Sequence, residues 1–442
     1  MEKVCLPFTG KKITVMGLGV LGRGVGDVEF LASCGAEVLV TDKKTPLELE
    51  SSIVRLKQYS NVTFHLGGHQ EEDFVSCDMV IKAAGVPLAS PFIDAAHVHG
   101  VPVYMSTALF AKAAMEMGAT IVAVTGTRGK STVTRMIYEV LDVNKKDILL
   151  GGNIRGVSTL ALLPKVTQKT IAVLELDSWQ LQGFGDLGIS PQIAVFTNLM
   201  PDHQNYYKNE DDYFADKANI FAFQKESDVL ICGKEIEERI CEELPSVAPL
   251  IPPQIPDCWT LKLPGEHNRE NAALAAQALR VLGLTEEEIR SGLESCESLE
   301  GRLQLVREIH GIKIYNDNNA TTPDATIAAL KALDTQMNTG KKNIILIMGG
   351  ADKGLDTAAL LTEVEPRCKK VVLLAGTGTD LIRSYLKESV VFDSLTEALG
   401  TALDSAEAGD TVLFSPAHSS FGMFTNEYER NDRFLQIVKD LS

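Results

Sequence analysis

The sequence has few aromatic residues, no long apolar run and no ordered cysteine pattern. Of 442 residues, 6% are aromatic and 45% are hydrophobic. No stretch reaches the roughly 18 apolar residues of a membrane span, and the N-terminal segment MEKVCLPFTGKK lacks the apolar core of a signal peptide. The eight cysteines form neither CxxC pairs nor zinc-finger spacings. We therefore expect a soluble cytoplasmic protein with no membrane insertion, whose cysteines are buried thiols in a reducing compartment.

Basic residues are also scarce, since 42 Lys and Arg stand against 59 Asp and Glu, for a net charge of -17. This balance argues against a nucleic-acid or anionic-membrane partner, because both select basic surfaces. It leaves anionic small substrates open, because a few local cations can dominate one cavity. At roughly 100–200 residues per domain, the length predicts about three domains.

Short apolar runs alternate with segments of helical length along almost the whole chain. The predicted strands are residues 12–17, 36–42, 78–85, 120–126, 170–176, 192–198, 228–233, 313–317, 343–350, 370–376 and 410–417. Such strands, separated by helices, predict an α/β fold with mainly parallel sheets covered on both faces. Breaks near 103–106 and 298–301 predict a Rossmann-like domain over 1–106, a central P-loop domain over 107–300, and a Rossmann-like α/β domain over 301–442.

The segment VAVTGTRGKSTVT at 122–134 predicts a phosphate-binding loop between a strand and a helix. Glycines let backbone N–H groups turn toward phosphate oxygens, and the helix N-terminus adds a partial positive charge. Lys130 would reach the β- and γ-phosphates, and the hydroxyl of Ser131 or Thr132 would reach Mg²⁺. The predicted ATP loop comprises Gly126, Thr127, Arg128, Gly129, Lys130, Ser131 and Thr132.

A carboxylate and an imidazole follow neighbouring predicted strands. Glu175 ends the strand TIAVLEL, and Asp202 and His203 follow the strand QIAVFTN. The carboxyl ends of parallel strands open into one crevice, so these side chains would face the phosphate loop. Glu175 is the hard anionic ligand that Mg²⁺ prefers, and His203 would coordinate through a neutral nitrogen. A surface or helix-capping role stays open for each of them.

A second glycine loop lies near the N-terminus. The strand Lys12–Met16 is followed by the run GLGVLG at 17–22, and Asp42 ends the next strand, 20 residues after Gly22. On pattern alone this is a dinucleotide-binding signal. An NAD-dependent oxidoreductase therefore stays an alternative, although it leaves the phosphate loop, Glu175 and His203 unexplained.

An ordered set of motifs resembles the signatures of the Mur ligases. The motifs are GTRGKST, LELDSWQL (174–181), TNLMPDH (197–203), GEHNRENAALA (265–275), EGRLQLV (300–306), YNDNNATTPDAT (315–326) and GGADKGLD (349–356). The segment 415–434 resembles the branch that adds D-glutamate to UDP-N-acetylmuramoyl-L-alanine in peptidoglycan precursor synthesis. The resemblance implies an ATP-dependent acid–amino-acid ligase that forms an acyl phosphate, releases ADP and phosphate, and acts as a monomer.

The resemblance also implies roles for individual positions. The catalytic residues would be Lys130, Glu175, His203 and Lys217. Two Mg²⁺ sites would be built from Ser131, Thr132, Glu175, His203 and Lys217, the last as a carbamate. Further ATP contacts would come from Asn153, Asn268, Asn271, Arg302 and Asp317. The UDP part of the substrate would contact Gly17, Leu18, Gly19, Val20, Gly22, Asp42 and Gly85. The incoming amino acid would contact Thr321, Lys353, Ser420 and Phe421.

The chain departs from the family pattern at several of these sites. Asn318 and Asn319 stand where the D-glutamate-adding branch usually has Ser-Lys, and Glu427 stands where an aromatic residue is usual. The segment 82–85 reads KAAG where Ser-Pro-Gly is commoner. A ligase for L-glutamate or another amino acid, and a non-catalytic nucleotide sensor, therefore stay open. Folate polyglutamylation fits less well, because that branch lacks a domain like residues 1–106.

Overall fold

The computed structural model describes residues 2–19, 22–87, 89–202, 206–244, 248–336, 341–386 and 389–441. The chain divides into two compact units, one of Met1–Ile255 with Asn271–Gly292 and one of Pro256–Glu270 with Leu293–Ser442. Among the described helices, none is long and apolar enough to cross a membrane. The boundaries of the three predicted domains stay a prediction.

The first unit begins with a parallel sheet. Its elements are α1 (Glu2–Cys5), β1 (Lys12–Met16), α2 (Arg23–Ser33), β2 (Glu37–Asp42), α3 (Glu50–Leu56), β3 (Val62–Leu66), α4 (Glu72–Val75), β4 (Met79–Lys82), α5 (Pro91–Val98) and β5 (Val103–Tyr104). The strand order is β3-β2-β1-β4-β5, with β1 between β2 and β4. The chain reverses its direction across the sheet at β1, so a crevice opens at the carboxyl ends of β1 and β4.

A second parallel sheet follows in the same unit. Its elements are α6 (Ser106–Glu116), β6 (Thr120–Thr125), α7 (Lys130–Val143), β7 (Ile148–Gly152), β8 (Ile171–Glu175), α8 (Ser178–Leu187), β9 (Ile193–Phe196), α9 (Glu210–Ala218), β10 (Val229–Cys232) and α10 (Lys234–Glu243). The strand order is β10-β9-β6-β8-β7. Because β6 lies between β8 and β9, the loop after β6, Glu175 and the segment after β9 meet at one edge.

One apolar core runs through both sheets of the first unit. It includes β1 and β2, α6 with Phe110, and the strands β6, β8 and β9. Five of the six residues of β6 are buried, because helices cover both faces of the sheet. Each buried Val, Leu or Ile side chain contributes roughly 1.5–3 kcal/mol. This shared core explains why residues on either side of the predicted break near 103–106 form one compact unit.

The second unit contains a mixed sheet. Helices α11 (Glu266–Val281) and α12 (Glu286–Ser295) contribute residues to both units, and the elements that follow are β11 (Gln304–Ile309), β12 (Ile312–Asn316), α13 (Pro323–Gln336), β13 (Ile344–Gly349), α14 (Ala358–Arg367), β14 (Cys368–Leu374), α15 (Thr377–Ile382), β15 (Val390–Phe392), α16 (Leu395–Asp404), β16 (Thr411–Phe414) and α17 (Glu427–Asp440). The strand order is β11-β12-β16-β13-β14-β15. Strand β11 pairs antiparallel with β12, because His310 and Gly311 form a tight turn with φ of 50° and 78°.

Some local features differ from the sequence-based expectation. The strands β3, β5, β7, β11 and β15 were absent from the predicted set. Strands β5 and β15 are very short, β3 and β11 carry polar residues, and β7 ends in two glycines, which weaken a strand pattern. The cysteine expectation was wrong at one pair, since Cys5 and Cys34 form a disulfide with Cα atoms 4.8 Å apart. It was also wrong for Cys241 and Cys258, which are exposed.

Candidate active site

The predicted ATP loop joins β6 to α7, and its glycines meet protein atoms at very short range. Gly126 has φ of 138°, and a Cβ on it would lie 2.0 Å from Thr197 Oγ1. Gly129 has φ of 81°, and a Cβ there would lie 2.3 Å from Asn271 Oδ1. Both positions therefore require glycine for conformation and for space. The contact also brings Asn271 to the loop, as the predicted ATP site needs.

The middle of the loop is held by the segment that follows β9. The Thr127 amide donates to the Asn198 carbonyl at 2.9 Å, and the Arg128 amide donates to Asn198 Oδ1 at 2.9 Å. The Thr127 hydroxyl donates to the Met200 carbonyl at 3.2 Å. These contacts fix the loop before any ligand binds, which lowers the cost of ordering it around a phosphate.

Two lysine amines converge on one carbonyl of the loop. Lys130 Nζ donates to the carbonyls of Gly126 and Thr127 at 3.0 and 3.1 Å. Lys217 Nζ, on α9, donates to the same Gly126 carbonyl at 2.8 Å and lies 4.6 Å from the Tyr213 ring centroid. Lys217 is 1% exposed, and burial, aided by the charge of Lys130, lowers its pKa well below the usual range. The site thus favours the neutral amine at Lys217.

Three of the side chains predicted to bind Mg²⁺ lie at the same edge of the sheet. Glu175 ends β8 and is 5% exposed, and Ser131 and Thr132 occupy the first turn of α7. The backbone N–H of Asn153 donates to the backbone carbonyl of Glu175 at 2.7 Å, which places Asn153 beside Glu175. Hydroxyl and carboxylate oxygens are the donors that Mg²⁺ prefers, so this set fits the ion. His203 lies outside the described residues.

An acid–aromatic cluster next to Lys217 was missed by the sequence analysis. The Asp216 carboxylate accepts hydrogen bonds from Gln182 Nε2 at 2.7 Å and from the Tyr207 hydroxyl at 2.9 Å. Burial raises the pKa of Asp216. The sequence did place Asp216 directly before Lys217, which could have suggested a role in the site. A polar residue on a helix is usually exposed, however, so the sequence alone does not predict its burial.

A cavity of about 340 Å³ opens beside the N-terminal glycine loop. Its lining includes four of the predicted UDP contacts, which are Gly17, Leu18, Gly19 and Gly85. Three cations also line it, namely Arg23, Lys44 and Lys82. A cavity with this lining suits an anionic ligand. Val20 lies outside the described residues.

Asp42 and Gly22 shape this loop. The Asp42 carboxylate accepts hydrogen bonds from the Leu18 and Lys44 amides at 2.8 and 2.9 Å. Gly22 precedes α2 with φ of 83°. Asp42 therefore braces the loop through backbone amides.

Lys82 is a cation of the cavity that the sequence identified only as part of a segment, 82–85, that differs from the usual family motif. It ends β4, is 2% exposed and donates to the Val86 carbonyl at 3.3 Å. Burial lowers the pKa of Lys82 to about 8, against the opposing charges of Asp186, Asp216 and Asp177. Its place at a strand end beside a glycine loop was the signal that could have identified it.

In the second unit, Arg302 and Asp317 lie close together. Asp317 accepts hydrogen bonds from the Leu303 amide at 2.9 Å and the Ser415 hydroxyl at 2.8 Å. Burial raises the pKa of Asp317 to about 7, while those hydrogen bonds and the charge of Arg302 oppose the rise. Asn268, also in this unit, donates to the Pro264 carbonyl at 2.7 Å.

Some of the residues predicted to contact the incoming amino acid lie close to one another. Lys353 Nζ donates to the Thr321 hydroxyl at 3.1 Å. An antiparallel bridge between Ala351 and Ser419 brings the loops of Lys353 and Ser420 side by side. Ser420 is buried, and Phe421, although next to it, is 61% exposed.

Asn318, which stands where the D-glutamate-adding branch usually has serine, belongs to a buried polar network. Arg430, 1% exposed, donates from Nε to Asn318 Oδ1 at 2.8 Å, from Nη2 to the Asn318 carbonyl at 2.9 Å and from Nη1 to the His418 carbonyl at 3.3 Å. Burial lowers the pKa of Arg430 to about 10. Asn318 also donates to the Glu427 carbonyl at 2.9 Å. The asparagine therefore ties together the loops that carry Thr321 and Ser420.

Comparison with known proteins agrees with this architecture. The family models described as "Mur ligase MurD-like, N-terminal domain", "Mur ligase middle domain" and "Mur ligase, glutamate ligase domain" match residues 11–105, 124–247 and 301–418. The UDP-N-acetylmuramoylalanine--D-glutamate ligase of Roseiflexus sp. (strain RS-1) is 33% identical over 99% of this chain and 100% of its own length. The enzyme of that name from Borreliella burgdorferi (strain ZS7) is 32% identical over 97% of both chains.

Solved structures show the same fold at lower identity. The UDP-N-acetylmuramate-alanine ligase of Thermotoga maritima matches with a TM-score of 0.64 at 19% identity, covering 97% of this chain and 99% of its own. The MurF ligase of Thermotoga maritima in complex with ADP matches with a TM-score of 0.61 at 15% identity, covering 98% and 95%. With the full-length relatives, the fold and the loop geometry define an ATP-dependent ligase that forms C–N bonds. The chain belongs to the Mur ligase family.

Proposed function

We propose that this chain joins D-glutamate to UDP-N-acetylmuramoyl-L-alanine in the cytoplasm, using ATP, and so adds a residue to the peptidoglycan stem peptide. The observation that carries the proposal is the preformed phosphate loop, on which Lys130 and Lys217 converge at the Gly126 carbonyl. The choice of substrates is supported by the relatives named UDP-N-acetylmuramoylalanine--D-glutamate ligase, which match over nearly the full length of this chain.

The central loop would hold the triphosphate of ATP. On binding, Lys130 would exchange its contacts with the Gly126 and Thr127 carbonyls for phosphate oxygens, which keeps a positive charge beside the transferring group. Asn271, close to Gly129, and Asn268 would contact the adenosine part, with Arg302 and Asp317 as further contacts. Ser131, Thr132, Glu175, His203 and carbamylated Lys217 would hold two Mg²⁺ ions, which offset the charge of the phosphoryl oxygens.

The chemistry needs two steps. An oxygen of the substrate carboxylate attacks the γ-phosphorus of ATP, and the bond to the β-phosphate oxygen breaks to release ADP. The amine nitrogen of glutamate then attacks the acyl carbon of the acyl phosphate. A tetrahedral intermediate loses phosphate and a proton, which leaves an amide. The acyl phosphate reacts readily with water, so exclusion of water is part of the enzyme's task.

The environment of Lys217 supports its carbamylation. The amine is 1% exposed, and burial and the charge of Lys130 lower its pKa, which favours the neutral form that can react with CO2. The resulting anionic carbamate would lie beside the cation of Lys130, since both lysines contact the Gly126 carbonyl. A carbon-13 NMR spectrum taken with labelled bicarbonate should show a carbamate signal that is missing in Lys217→Met. A spectrum without that difference contradicts the assignment.

The glutamate carboxylates would bind near Lys353, Thr321 and Ser420. Lys353 and the two hydroxyls supply donors, and charge-assisted hydrogen bonds to carboxylates are roughly twice as strong as neutral ones. Asn319 replaces a lysine that the branch usually carries, so L-glutamate is the second candidate substrate. Asn319 is half-buried and donates to the Glu300 carbonyl at 3.5 Å.

Phosphate release from ATP tests the proposal. The protein would be mixed with ATP, Mg²⁺ and UDP-N-acetylmuramoyl-L-alanine, and separately with D-glutamate, L-glutamate and other amino acids. We expect release that depends on D-glutamate. Release with L-glutamate alone would show that L-glutamate, the second candidate, is the substrate. Absence of release with every amino acid contradicts ligase activity on this nucleotide sugar.

A further inference from the structure

Helix α2 docks on the segment that follows β7 through polar contacts spaced one helical turn apart. Arg23 Nη1 donates to Asn153 Oδ1 at 2.8 Å. Ser158 Oγ donates to Asp27 Oδ1 at 2.6 Å, and both of these side chains are buried. Residues four apart lie on one helix face, so Arg23 and Asp27 both contact the segment after β7.

Glycines let the two backbones approach closely at this contact. A Cβ on Gly26 would lie 2.7 Å from Ser158 Cβ, and a Cβ on Gly22 would lie 3.6 Å from Gly156 Cα. The cavity of about 340 Å³ is lined from both sides, by Gly17–Gly19 and Arg23 and by Gly152 and Ser158. The N-terminal glycine loop with α2 and the segment after β7 are therefore closely packed.

Asn153 continues the connection to the predicted metal ligand. Its backbone N–H donates to the backbone carbonyl of Glu175 at 2.7 Å, while its side-chain Oδ1 accepts from Arg23. A side-chain amide whose oxygen accepts from a guanidinium has its orientation set, with its two N–H donors on the other side. A chain of contacts thus runs from the glycine loop through Arg23 and the side chain and backbone of Asn153 to the backbone of Glu175.

We propose that Arg23 is a positioning residue that couples the two nucleotide sites of this chain. The inference rests on the proposed function, in which a diphosphate occupies the cavity at Gly17–Gly19 and Mg²⁺-ATP occupies the loop at Gly126–Thr132. Arg23 directly follows Gly22 and lines the cavity, so a bound diphosphate would order its guanidinium by charge-assisted hydrogen bonds. Asn153 would then be ordered before ATP arrives, and the second ligand would lose less entropy on binding.

Calorimetric titration with a non-hydrolysable ATP analogue and Mg²⁺ tests the coupling. In the wild-type protein, saturating UDP-N-acetylmuramoyl-L-alanine should tighten analogue binding by about 5- to 10-fold, within the usual range of coupling between sites. Arg23→Met should reduce this ratio to about 1, because Met keeps an unbranched apolar stem and removes the guanidinium donors. Arg23→Lys, which keeps one charge, should restore part of the ratio.

Arg55→Met is the matched control, because it removes an arginine that donates to Glu29 on the same helix α2 at 2.7 Å, and neither residue lines the cavity. It should retain the coupling ratio. If Arg55→Met removes the coupling as completely as Arg23→Met, the effect comes from the docking of α2 in general and the inference is overturned. Coupling that persists at its wild-type size in a folded Arg23→Met protein also overturns it.

A kinetic cycle tests whether Arg23 acts through Asn153. If it does, Arg23→Met should raise the KM for ATP several-fold in the wild-type background and have little further effect in Asn153→Ala. Additive effects contradict the positioning role. A wild-type protein that binds neither nucleotide contradicts the proposed function itself, whereas binding of both without coupling overturns only this inference.

Discussion

The two glycine loops of the first unit have the same framework and different surroundings. Each follows a central parallel strand and precedes a helix with a left-handed glycine, Gly22 or Gly129, at its start. The N-terminal loop lines an open cavity, and a Cβ on Gly19 would meet no atom within 4 Å. The central loop is enclosed by protein, and a Cβ on Gly126 would lie 2.0 Å from Thr197 Oγ1.

This difference matches the work that each loop would do. A substrate that is only held needs an accessible cradle with cations around it, as Arg23, Lys44 and Lys82 provide. A phosphoryl group that is transferred needs charges whose positions are fixed in advance, since preorganised electrostatics supply much of the rate. The contacts of Lys130, Lys217 and Asn198 fix the central loop in that way.

The largest expected effect comes from removing the lysine of the central loop. Lys130→Ala should lower kcat by about 10³-fold, because one preorganised donor at a transferring group contributes on the order of 10²–10³ and this donor is also charged. The KM for the nucleotide sugar should stay close to the wild-type value. Lys44→Ala in the N-terminal cavity is the counterpart, and it should raise that KM with little change in kcat. Steady-state kinetics with each substrate varied in turn measures both, and the reverse pattern would contradict the division of roles.

A second test compares alanine at the two loops. Gly126→Ala should cost roughly 3 kcal/mol of unfolding free energy or more, because it combines a strained φ with a clash against Thr197. Gly19→Ala should cost only about 1 kcal/mol, because it has the strain of φ 66° without a clash. Denaturant unfolding of both variants measures the difference, and equal costs would show that the central loop is no more tightly enclosed than the other.

A smaller effect should appear in the pH dependence of stability. Burial raises the pKa of Asp27 to about 6 from its ordinary 3.8, so the folded state binds this proton more tightly than the unfolded state. The contribution is therefore fully present below about pH 4 and is lost as the pH rises through about 6. Asp27→Asn should be more stable than wild type by roughly 3 kcal/mol at pH 8 and equal to it near pH 3. A stability difference that does not vary with pH contradicts this account of Asp27.

The sequence predicted those parts of the site that lie next to each other in the chain. A strand, a glycine loop and a helix start are local patterns, so the loop at Gly126–Thr132 could be placed, and Glu175 followed from the end of its strand. The contacts of Arg23 with Asn153 and of Asp27 with Ser158 join residues about 130 positions apart. No local pattern signals such a pair, because helix packing alone brings the partners together. The burial of Lys217 was hidden for the same reason, since α9 reads as a polar surface helix.

The most direct test of the account is whether the two loops bind different nucleotides. Titration calorimetry of Lys130→Ala with UDP-N-acetylmuramoyl-L-alanine, and then with a non-hydrolysable ATP analogue and Mg²⁺, separates the two sites. We predict that the variant binds the nucleotide sugar with an affinity within about threefold of the uncoupled wild-type value and binds the analogue at least tenfold more weakly. Equal losses for both ligands, or loss of the nucleotide sugar alone, would contradict the assignment of one loop to each nucleotide.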